Sequence, residues 1–176
     1  GGLNKFNPTT ERFFNYHINN INKKSEDIIC VLNDEKARCV WVGTYGDGLY
    51  QFNKSENSFV KCDAIKAQFI RAVITDTNDA NILWVATWGE GVFRLNTQNG
   101  SIQSFANEVN NKFSLSDNYT LSLLIDRSGI VWVGTYNTGV NEIITIPERF
   151  YPLSNKNGTK ILSSNIVSAI SEEKDQ

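Results

Sequence analysis

The sequence is poor in the side chains that most often carry chemistry. Its 176 residues include one histidine, His17, three cysteines and no methionine. One imidazole without clustered thiols cannot assemble the usual nitrogen and sulfur ligand sets, so neither a metal site nor a cofactor is expected. Cys30, Cys39 and Cys62 are odd in number and lack a CxxC spacing. They are expected as buried free thiols packing as small hydrophobes, since the hairpin holding Cys30 and Cys39 does not set them opposite each other. An excess of charge of one sign is also missing. Lys and Arg total 17 against 19 Asp and Glu, a net charge of −2, which offers nucleic acid no basic field. No apolar run is long enough to span a bilayer, and the first residues lack the charged-then-apolar profile of a secretory leader. Neither nucleic acid nor direct membrane contact is therefore expected. Because the first residues already fall inside a repeat, the missing leader is expected to reflect where the chain starts, not where the protein resides.

What is present is repetition. Val40-Trp41-Val42-Gly43-Thr44-Tyr45-Gly46-Asp47-Gly48-Leu49-Tyr50-Gln51-Phe52 recurs at residues 83–95 and 131–143, and residues 2–6 match the end of a fourth copy. The last turn glycines, Gly2, Gly48, Gly91 and Gly139, advance by 46, 43 and 48 residues; Phe13, Phe59, Ile102 and Phe150 keep the same steps. A third series precedes each tryptophan and ends on Asp34, Asp76 and Asp126. It returns at Ile170-Ser171-Glu172-Glu173, preceded by Leu162-Ser163-Ser164-Asn165, an echo of Leu115-Ser116-Asp117-Asn118. Self-similarity on this scale marks a repeat architecture.

Each full copy reads as four short strands. The first is apolar (28–32, 70–74, 121–125), the second carries the tryptophan, the third follows a tight glycine turn, and the fourth surrounds Phe59 or Ile102. Such short β-branched and aromatic runs, punctuated by Gly, Asn, Asp and Ser, exclude helices and a parallel sheet. The expected fold is all-β: a β-propeller fragment of four-stranded antiparallel blades, three complete, with partial blades at both ends and 15 strands in all. The expected divisions are 1–22, 23–64, 65–108, 109–156 and 157–176. Open blade edges need covering. The expected partners are therefore the remaining blades of the same propeller or a second copy of the chain. The tryptophans are expected to wedge between blades. Asn137 stands in the third turn where the first has Gly46, and is expected in the same left-handed conformation.

In its V-W-V-G-T-Y-G-D-G-L-Y-Q-F-N stretch, with upstream L-S-D-N-Y-T-L-S-L-L-I-D-R-S-G and downstream E-R-F-Y, the sequence resembles the two-component regulator propeller repeat. The second copy departs from the pattern, with Ala86 for glycine and a longer first turn. The resemblance implies a seven-bladed propeller in the periplasmic sensor half of a hybrid two-component histidine kinase, with an oligosaccharide as ligand. It implies a non-catalytic role for this region.

Candidate ligand-binding residues lie at the tight turns. Loops on alternate ends of a propeller group Tyr45, Trp88 and Tyr136 at one mouth, with Asp47 and Glu90 beside them. Ring faces and adjacent carboxylates suit a sugar. The long connections 105–115 and 154–162 are unlike each other and are the other place for function. Asp47 and Glu90 also form the carboxylate pair a glycosidase would need, but the third copy has Thr138 there and no other catalytic set exists. An enzyme, whether hydrolase or lyase, is the least favoured reading, and a protein-binding scaffold stands between.

Overall fold

The computed structural model describes residues 2–18 and 27–145. They form thirteen strands and no helix, in four antiparallel sheets that each run in chain order. The first sheet pairs β1 (Leu3–Asn7) with β2 (Arg12–Tyr16). The second orders β3 (Ile28–Asp34), β4 (Cys39–Thr44), β5 (Leu49–Asn53) and β6 (Ser58–Lys61). The third orders β7 (Ile70–Thr75), β8 (Ile82–Thr87), β9 (Val92–Asn96) and β10 (Ile102–Phe105). The fourth joins β11 (Thr120–Ile125), β12 (Val131–Thr135) and β13 (Val140–Ile143). These are propeller blades. The strands expected around Phe150 and within 157–176, and the 154–162 connection, lie outside the described residues.

Alternation along the tryptophan strands explains the stacking. Side chains of a strand point alternately to its two faces, so a strand buried on both faces feeds two interfaces. On β4, Val40 and Val42 join Tyr16, Tyr50 and Phe52 against the first sheet, while Cys39 and Trp41 join Leu83 and Val85 against the third. On β8, Leu83 and Val85 belong to that same interface, while Ile82 and Trp84 face Val131 and Val133. Trp41 and Trp84 are thus inter-blade wedges, 6% and 0% exposed. Trp132 holds the equivalent place on the outer face of the last described sheet and is 37% exposed beside Leu124 and Val140. Each blade connection adds an aliphatic plug: Ile18, Ile65 and Leu115 are all buried within these clusters.

The aspartate series has a structural cause. Asp34, Asp76 and Asp126 accept the indole N–H of Trp41, Trp84 and Trp132 through Oδ2 at 3.2, 2.9 and 2.8 Å. Their Oδ1 atoms accept backbone N–H groups of the hairpin that follows, at Ala37, at Asn78 and Asp79, and at Ser128 and Ile130. One carboxylate therefore closes a turn and anchors the wedge. The indole bond also holds the Asp126 carboxyl below its ordinary pKa, with backbone N–H groups adding to the effect.

All three cysteines are free. Cys30 lies opposite Gly43, and Cys39 opposite Asp34, so the hairpin register keeps the two apart.

Candidate functional site

The tight turns are built by threonine. Thr44, Thr87 and Thr135 each donate their hydroxyl to the carbonyl of the closing glycine, Gly48, Gly91 or Gly139, at 2.8 Å. The same hydroxyls accept the backbone N–H of Asp47, Glu90 and Thr138. The turns then dock on the next connection. Gly46 and Gly48 both donate to the Gln68 carbonyl, and Gly89 and Gly91 to that of Asn118. Turns and connections consequently share one end of the blades. The third turn differs: Asn137 is not among the residues with positive φ, contrary to expectation. A non-glycine residue pays a steric cost in that region, and Asn137 does not adopt it.

Of the residues singled out in the sequence, Trp88 and Tyr136 come together, their ring centroids 5.0 Å apart and edge-on. Tyr119, from the connection, meets Trp88 at 4.9 Å in the same manner. Tyr45 instead meets Phe69 edge-on at 4.8 Å and makes no ring contact with Trp88. Tyr119 and Tyr136 are 43% and 59% exposed, so this cluster offers ring surface to solvent.

The two acids diverge. Asp47 is 5% exposed, accepts the Tyr50 hydroxyl at 2.7 Å and pairs with the Lys61 ammonium at 2.7 Å. Burial, followed by the carboxylate it bonds, raises the Tyr50 pKa above its ordinary value. Glu90 stays in solvent because the matching positions hold Phe93 and Ser104, which offer neither phenol nor ammonium. The turn carboxylates are thus not a pair flanking one substrate.

One neighbour of the cluster was not apparent from the sequence. Arg71, on β7, places its guanidinium carbon 5.8 Å from the Trp88 ring centroid. Its only sequence signal is a cation inside an otherwise apolar innermost strand. The described residues contain no group of His, Cys, Asp and Glu able to hold a metal.

A family model named two component regulator propeller matches residues 114–137, the stretch that runs from the Leu115 plug through β11 and β12 to the Thr135 turn. Residues 114–137 thus resemble a two-component regulator propeller repeat. The copies around Trp41 and Trp84 repeat the indole–aspartate and threonine–glycine bonds of this stretch. Among solved structures, the chain resembles the extracellular domain assigned to the hybrid two component system BT3049 of B. thetaiotaomicron. The match has a TM-score of 0.68 and 25% identity, over 98% of this chain and 21% of that one. It also resembles two structures of the BT4673 extracellular domain from the same organism. One, assigned to a hybrid two component system, has a TM-score of 0.67 at 23% identity over 80% of this chain and 18% of that one. The other, assigned to a one component system, has a TM-score of 0.65 at 22% identity over 86% and 19%. The chain therefore spans about a fifth of the length of the ectodomains it matches. A comparison with curated protein sequences found no match.

Proposed function

We propose that this chain is part of the extracytoplasmic, periplasmic sensor region of a two-component receptor, and that it binds an oligosaccharide without transforming it. The regulator propeller repeat and the extracellular setting of the similar structures support the sensor role. The observation that carries the ligand class is the Trp88–Tyr119–Tyr136 cluster, whose two tyrosines stay largely exposed next to polar turn groups. Sugars present apolar C–H faces and polar edges, and such a surface matches both. The kinase is a property of the parent protein. A ligand acts there only by favouring one arrangement of the receptor over another.

The test is a thermal-shift screen of the ectodomain against an oligosaccharide panel, repeated with Trp88→Ala. A shift from at least one glycan that disappears in the variant is expected. A panel that leaves the melting curve unchanged throughout would sink the proposal.

A further inference from the structure

We infer that Arg71 makes this ring cluster selective for a ligand bearing a carboxylate or sulfate group; the inference rests on the oligosaccharide reading above. The register of every innermost strand slips at its second residue. The shifts fall between Ile28 and Cys30, Ile70 and Ala72, and Thr120 and Ser122, leaving Ile29, Arg71 and Leu121 as the inserted residues. A bulge bends its strand and re-aims the extra side chain, and bulges recur next to binding sites. Three equivalent bulges therefore present two aliphatics and one arginine. A feature that varies while its backbone device repeats is unnecessary to the blade and available to a ligand.

Among the described residues Arg71 makes no ion pair and no hydrogen bond, and Glu90, in the adjacent turn, does not pair with it. Its Nε is sealed from solvent without a partner, whereas the terminal nitrogens are not. A guanidinium partly desolvated against an indole attracts an anion more strongly than one in water, and its planar fork fits a carboxylate or sulfate through two parallel bonds. Arg94 provides the control within the molecule. It lies 5.9 Å from the Trp84 ring, also with a sealed Nε, but sits directly across from Trp84 on β9. Stacking on indole is routine packing there. Arg71 differs in lying on a bulge, against the one tryptophan that joins the exposed rings.

Three disaccharides of matched linkage separate the outcomes: one containing a uronic acid, one sulfated, and one neutral. Calorimetric titration of the full chain with each, at low and high salt, should show tighter, salt-weakened binding of an anionic probe. Which anionic probe binds distinguishes carboxylate from sulfate. Arg71→Gln should weaken the preferred anionic probe by roughly tenfold or more, the scale of a charge-assisted hydrogen bond, and leave the neutral one within about twofold. Arg71→Lys should restore part of the salt dependence. Equal binding of neutral and anionic probes, or equal weakening of both by Arg71→Gln in a protein with unchanged melting temperature, would overturn the inference but leave the oligosaccharide proposal standing. No binding by any of the three would overturn it as well, and a silent wider panel would then remove the oligosaccharide proposal too.

Discussion

At Gly43 the absence of a side chain is a packing requirement. A methyl there would sit 2.5 Å from Cys30 Sγ and 2.6 Å from Ile70 Cγ2. Ala86, at the equivalent place in the next blade, is tolerated because its cross-strand partner is Ala72 rather than cysteine. In the third copy Gly134 returns together with Ser122, whose Oγ would lie 2.3 Å from the added methyl. The two positions vary as a volume-matched pair. Gly43→Ala should destabilise the chain by about 1–3 kcal/mol, the usual cost of overpacking, and Cys30→Ala should recover part of that loss, the Ile70 contact remaining. Denaturant melts of the two single variants and the double variant measure the coupling, and additive effects would contradict the account. Burial, before any other influence, raises the Cys30 thiol to a pKa of about 11, so it is held protonated and inert at neutral pH.

The first tight turn and its flanking strands form one electrostatic unit. Tyr50 keeps its proton in the folded chain because it is buried and bonded to Asp47, whereas in the unfolded chain it titrates near its ordinary value of 10.0. Above that pH the unfolded state releases a proton that the folded state retains, so stability falls as pH rises. The contribution is whole below about pH 10 and disappears as the pH climbs toward the raised folded value. Urea unfolding at pH 8 and pH 11 should therefore show a larger loss for the wild-type chain than for Tyr50→Phe. Identical losses would mean that the phenol is not held as described. The same unit shows what could be read beforehand. That residues 45–48 form a glycine turn was legible from Gly46 and Gly48. That Asp47 turns inward required knowing that Tyr50 and Lys61 face each other across β5 and β6.

Across the described residues, the buried apolar clusters span adjacent blades. Trp84 is completely buried in the cluster linking the third and fourth sheets, and Trp132, its repeat equivalent, faces outward. Trp84→Ala should cost about 3–5 kcal/mol, as for a fully buried large side chain, and Trp132→Ala distinctly less. Thermal or denaturant unfolding of each variant checks this, and equal losses would contradict the outward placement of Trp132. The exposed Leu124, Trp132 and Val140 at one end, and Phe6 and Phe13 at the other, form the faces that we propose meet further blades or a second copy of the chain.

The sequence by itself determined the repeat, its register, the strand class and the inter-blade role of Trp41 and Trp84. These follow from local rules: alternation sets which residues a strand buries, and glycines set where it turns. Tertiary structure alone assembled the ring cluster. Arg71 and Trp88 lie 17 positions apart on strand and turn, Tyr119 and Tyr136 come from the next repeat, and only stacked blades bring them together. It also separated Asp47 from Glu90, which look alike in the linear repeat. Their neighbours belong to other strands, and no local pattern encodes whether a cation or a serine will stand opposite.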